Sequence, residues 1–65
     1  MRERWNERIE TGKGLFQITR GRDSKGRMSY DAWRWNASTA RWVMIRSIIR
    51  SLPEARELIA SHDAA

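Results

Sequence analysis

The chain has 65 residues, no cysteine and a formal net charge of +5. This length supports one domain over residues 1–65, and without cysteine that domain has no disulfide to stabilise it. Because His62 is the single imidazole and the longest apolar run covers only residues 42–45, the composition argues against a metal site, a bound cofactor and a membrane-spanning segment.

Residues 1–11 form the first element and fit two structures. Trp5 and Ile9 have the i,i+4 spacing of a helix face. Alternate residues from Trp5 to Thr11 fit a strand equally well, followed by a hairpin turn at 11–14. We expect a short N-terminal helix, with a fourth strand as the alternative.

Three strands are predicted next, within residues 15–50. The segment 15–22 (LFQITRGR) alternates, and the residues at 23–26 (DSKG) are a strong turn signal. Residues 27–36 (RMSYDAWRWN) alternate again, with two tryptophans on one face. Residues 41–50 (RWVMIRSIIR) form the third strand, so the pattern predicts an antiparallel meander.

The C-terminal segment predicts a helix over residues 52–62. Ser51 is a good N-cap, Glu54 lies at the capping-box spacing, and Pro53 fits the first turn. An apolar stripe follows at helical spacing, formed by Leu52, Ala55, Leu58, Ile59 and His62. The tail at 63–65 is expected to fray. The fold expected is therefore α+β: a three-stranded antiparallel β-meander packed by a C-terminal helix.

The predicted strand at 41–50 is apolar on both faces, which is typical of a strand covered on both sides. One face would meet the C-terminal helix. The other would meet the N-terminal segment, a second copy of the chain or a ligand. A homodimer is a reasonable expectation, because a domain this small buries only about 60% of the surface of its unfolded chain.

Charge is segregated along the chain. Residues 12–50 carry nine Arg or Lys against two Asp, whereas residues 1–11 are neutral and residues 51–65 carry −2. The same central segment holds three of the four tryptophans. Such a surface suits nucleic acid in two ways: a sheet can read the major groove through Arg, or aromatic side chains can stack on unpaired bases. The candidate contacts are Arg20, Arg22, Lys25, Arg27, Tyr30, Arg34, Arg41 and Arg46.

Burial competes with binding for the tryptophans, because a Trp in a small domain is more often core than platform. If Trp33 and Trp35 are core, strand alternation places Arg34 on the open face. No catalytic constellation is present. His62 has no nucleophile or metal partner, and the acidic residues near position 54 are explained by helix capping. We therefore expect no enzymatic activity.

The pattern of basic strands followed by one helix resembles the DNA-binding domains of plant ethylene-response factors and the arm-binding domains of phage and transposon integrases. The resemblance runs from Leu15 to Ser61, over LFQITRGRDSKGR, MSYDAWRWN, RWVMIRS and SLPEARELIA. It implies a sheet that enters the major groove of DNA. By this resemblance the contacts would be Arg20, Arg22, Arg34 and Arg46.

The sequence thus predicts a nucleic-acid-binding module in a bacterial or phage setting, with duplex DNA preferred to RNA. The alternative is a small phage or mobile-element regulator that binds a host protein through an apolar and aromatic surface. No apolar stretch of a secretory signal follows the basic N-terminus, so we expect a cytoplasmic protein without a membrane partner.

Overall fold

The computed structural model describes residues 5–64, which form four strands and one helix. The elements are β1 (Asn6–Thr11), β2 (Gly14–Arg22), β3 (Met28–Asn36), β4 (Arg41–Ile49) and α1 (Leu52–Ala64). The strands make one antiparallel sheet in the order β1-β2-β3-β4. The helix packs on one face of this sheet.

The expected three-stranded sheet is wrong, because residues 6–11 form a fourth strand instead of a short helix. β1 pairs with β2 along its whole length. Thr11 closes the connecting turn: its hydroxyl donates to the Gly14 carbonyl and accepts the backbone N–H of Lys13, both at 3.2 Å. Side chains of a strand paired with β2 alternate with a period of two. This pairing outweighs the helical spacing of one pair, Trp5 and Ile9. Residues 1–4 of the predicted segment lie outside the described residues.

The α+β class and the C-terminal helix are as expected from the sequence. Ser51 caps the helix, with its hydroxyl accepting the backbone N–H of Glu54 at 3.4 Å. At the other end α1 continues beyond the predicted boundary and includes Asp63. The carboxylate of Asp63 accepts the backbone N–H of Lys13 at 3.2 Å, which ties the last helical turn to the β1–β2 turn. Residue 65 of the tail lies outside the described residues.

The core lies between α1 and the sheet. Its buried residues are Phe16, Ile18, Ala32, Ile49, Ala55 and Ile59. Partly buried side chains surround them, including Trp5, Ile9, Tyr30, Ile45, Leu52 and Leu58. Because side chains alternate across a strand, burial of Phe16 and Ile18 in β2 fixes which face of every strand the helix covers.

The outer strand β4 is irregular near its end. Its register against β3 shifts, and Ile48 has a φ of +56°. A β-branched residue in this region is strained by about 1–3 kcal/mol. A hydrogen bond holds the segment in place, because the backbone N–H of Ile48 donates to Oδ1 of Asp31 at 3.2 Å. The strand leaves three apolar side chains 40–47% exposed: Val43, Met44 and Ile48. Residues 5–64 therefore do not supply the complete second layer expected from the sequence.

Candidate nucleic-acid interface

The sheet face turned away from α1 carries three tryptophans. Trp33 and Trp35 of β3 have the opposite parity to the buried Ala32, so they lie on the uncovered face. Trp42 of β4 lies opposite Trp35, and their ring centroids are 5.2 Å apart in an edge-to-face contact. We call this surface the open face. It includes Asn6, Arg8, Glu10, Leu15, Gln17, Thr19, Asp31, Trp33, Trp35, Trp42 and Met44.

The arrangement in which the tryptophan pair is core and Arg34 lies on the open face does not occur. Register explains why: Arg34 pairs with Phe16, and Ala32 pairs with Ile18. Because Phe16 and Ile18 are buried under α1, Arg34 lies on the covered side of the sheet. The tryptophan pair is only half-buried, on the other side.

A cleft of about 410 Å³ opens on the open face. Its lining residues are Trp5, Asn6, Gln17, Thr19, Arg20, Asp31, Trp33 and Trp42. The indole Nε1 of Trp33 donates to Oγ1 of Thr19 at 2.9 Å, which holds that ring in one orientation. The volume falls within the range of about 300–1,000 Å³ found for small-ligand sites. The cleft combines aromatic rings with hydrogen-bonding groups, which suits a planar polar ligand.

Two guanidinium groups lie over tryptophan rings, Arg8 on the open face and Arg20 on the side of α1, where Trp5 packs against the core. Cζ of Arg8 lies 5.8 Å from the ring centroid of Trp42, and Nε of Arg8 donates to Oε1 of Gln17 at 3.2 Å. Cζ of Arg20 lies 4.7 Å from the ring of Trp5. Neither guanidinium is paired with a carboxylate among residues 5–64. The charge of Arg8 is therefore available to an anion on the open face, whereas the charge of Arg20 lies on the other side of the sheet.

The eight predicted contact residues do not form one patch. Register places five of them on the side of the sheet that α1 covers: Arg20, Arg22, Tyr30, Arg34 and Arg41. Arg46 lies against α1, where it shares a shallow groove with Glu54 and Glu57. Lys25 and Arg27 lie in the β2–β3 turn. Of the eight, Arg20 is the one that borders the cleft, while its guanidinium lies over Trp5 on the side of α1.

Asp23 stabilises the β2–β3 turn through hydrogen bonds and an ion pair with Arg27. Its Oδ1 accepts the backbone N–H groups of Lys25 and Arg27, and its Oδ2 accepts from Arg27 Nε and Arg50 Nη1, all at 2.9 Å. The hydrogen bond from Arg50, followed by those from the backbone, lowers the pKa of Asp23 to about 2. The charge of Arg27 is thus already paired with Asp23, although its side chain remains 61% exposed.

Sequence reasoning missed Arg8 and Asp31. The signal for Arg8 was present in the strand alternative for residues 1–11, which places Arg8 in one row with Gln17 and Trp33. The signal for Asp31 was its parity with Trp33. Both residues can be assigned to the site once the tryptophans are placed on the open face.

No protein-family model, curated protein or solved structure matches the chain. The resemblance to ethylene-response factors and integrase arm-binding domains therefore stays a prediction. Within residues 5–64, no helix has both the length and the apolar character needed to cross a membrane.

Proposed function

We propose that this protein binds nucleic acid through the open face, with unpaired bases stacked on tryptophan rings and phosphates bound by arginines at the rim. The observation that carries this proposal is the cleft, where Trp33 and Trp42 are lining residues and the guanidinium of Arg8 lies over the ring of Trp42. Stacking of a base on an aromatic side chain contributes about 1–3 kcal/mol. Guanidinium groups add charge-assisted hydrogen bonds to phosphate.

Stacking fits this geometry better than reading of the major groove. Groove reading requires several Arg side chains that project from the open face towards base edges. Arg22, Arg34 and Arg41 instead lie on the side of α1. The net charge of +5 favours association with any nucleic acid at long range. The local geometry favours single-stranded or looped segments over a regular duplex.

A fluorescence titration tests the proposal, because the tryptophans on the open face report directly on a stacked base. The protein is titrated with a single-stranded oligonucleotide and with the duplex of the same sequence, at about 50 mM and 200 mM salt. We expect tighter binding of the single strand and weaker binding at the higher salt. Absence of binding to either form at low salt would contradict the proposal.

The exposed edge of β4 favours a second candidate function, which is binding to a protein. An outer strand presents unpaired backbone groups, and this one also exposes Met44 and Ile48. Methionine and aromatic side chains are enriched at protein interfaces. Affinity capture from nuclease-treated lysate distinguishes the two functions. A stoichiometric protein that survives nuclease supports the second candidate, and light scattering of the purified protein tests for a homodimer.

A further inference from the structure

We infer that the cleft selects guanine among the bases and that Asp31 is the residue that recognises it. The inference rests on the proposed function, because it names which base the stacking site prefers. Asp31 lies in the middle of β3 on the open face. It lines the same cleft as Thr19, its partner on β2, and Trp33.

The carboxylate of Asp31 is fixed at one oxygen and free at the other. Its Oδ1 accepts the backbone N–H of Ile48 at 3.2 Å. Its Oδ2 has no hydrogen-bond donor within residues 5–64. No buried polar side-chain atom in that range lacks a partner, so this unpaired oxygen is reached by solvent. Asp31 therefore holds a positioned acceptor towards a ligand.

Gly21 keeps the space next to this oxygen open. A Cβ atom at Gly21 would lie 3.2 Å from Oδ2 of Asp31 and 3.8 Å from Oγ of Ser29. The φ of Gly21 is outside the left-handed region, so its backbone does not require glycine. The missing side chain instead leaves the space beside Oδ2 open, at the margin of the cleft that Asp31 lines.

The charges around the cleft exclude a cationic ligand. A carboxylate among tryptophans could also suit a quaternary ammonium group. Here, however, the guanidinium group of Arg8 already lies over the ring of Trp42 on the open face. A further cation over this ring would be repelled by Arg8. A neutral ring with N–H donors, attached to anionic phosphate, satisfies the carboxylate, the rings and Arg8 together.

Among the bases, guanine offers the best match to a carboxylate. Its Watson–Crick edge presents the N1–H and the N2 amino group side by side, so two donors face the acceptor. Adenine and cytosine each place an acceptor nitrogen next to their amino group, and thymine flanks its single N–H with two carbonyl oxygens. These acceptors would meet the negative charge of Asp31. In an unpaired strand the edge of guanine is free to reach Asp31.

The test compares oligothymidine of about eight nucleotides with the same strand carrying one central guanine or one central hypoxanthine, which lacks the 2-amino group. We expect the guanine strand to bind at least about tenfold more tightly than oligothymidine, with hypoxanthine between them. Asp31→Asn should remove the guanine preference, so that the guanine strand binds this variant no more tightly than oligothymidine does. The asparagine oxygen can still accept the N–H of Ile48, so this variant keeps the contact that holds β4.

A second variant, Gly21→Ala, crowds the free oxygen without changing its charge. Gly21→Ala should also reduce the guanine preference. The inference can therefore still be tested if the Asp31→Asn variant does not fold. If oligothymidine binds but guanine gives no added affinity, the inference about Asp31 is refuted and the proposed function stands. If no strand binds at low salt, the proposed function fails, and the inference fails with it.

Discussion

Replacing Arg8 and Arg34 in parallel would show which face of the sheet meets the ligand. Both are exposed arginines in neighbouring parts of the sheet, but they point to opposite sides of it. Arg8 lies on the open face beside Trp42, whereas Arg34 lies on the side of α1. We expect Arg8→Gln to weaken binding of a single-stranded oligonucleotide and Arg34→Gln to leave it unchanged.

The size of the effect follows from counterion release. Each phosphate neutralised on a single strand contributes about −0.7 to the slope of log affinity against log salt. Loss of one contact from Arg8 therefore makes the slope shallower by about 0.7. Over a fourfold rise in salt, the Arg8→Gln variant would lose about 2.6-fold less affinity than the unchanged protein. Loss of the stacking contact with Trp42 costs only about 0.5–1 kcal/mol of stability, so the variant should remain folded.

The assay is a fluorescence titration at several salt concentrations, with thermal unfolding of each variant as the control for folding. A slope that becomes shallower in Arg34→Gln, but not in Arg8→Gln, would place the ligand on the side of α1. That result would refute binding at the tryptophans of the open face. It would instead support the arginine contacts that were predicted from the sequence.

Three further changes test the site and the fold. Trp42→Ala should cost about 1–3 kcal/mol of binding free energy, the value of one stacked base, whereas the neighbouring Met44→Ala should cost less; the fluorescence titration measures both. The lowered pKa of Asp23 means that its ion pairs stabilise the folded state above the usual carboxyl range near pH 4 and are lost as the pH falls towards 2. Asp23→Asn should therefore reduce the melting temperature at neutral pH, and a difference that does not shrink on acidification would contradict this role. Ile18→Ala should cost about 2–5 kcal/mol in urea unfolding, a large share of the roughly 3–10 kcal/mol expected for a domain of this length.

Local patterns predicted most of the secondary structure but not the direction in which the side chains point. The turn at Asp23, the cap at Ser51 and the alternation of three strands are readable because each depends on nearby residues. Residues 6–11 were misassigned because the segment is short and only its pairing with β2 decides between helix and strand.

The faces could not be read from one strand alone. Within β3, the tryptophans look like the natural core, yet the smaller Ala32 faces the helix. Ala55 of α1 is fully buried in the same cluster, and two small side chains of this kind allow a helix to lie near a sheet. The same packing decides which side of the sheet the arginines face. Most of the contacts predicted from the sequence therefore lie on the side of α1.

The strand order has a kinetic consequence. Each strand pairs with the one that precedes it in the chain, so the sheet can grow by successive hairpins with little loop entropy to overcome. The helix makes the distant contacts, joining Arg56 to Glu7 and Asp63 to Lys13 across 49 and 50 residues. Docking of α1 is therefore the step that brings the two ends of the described chain together, and we expect the refolding rate to respond to substitutions in the hairpins more than to those at Arg56.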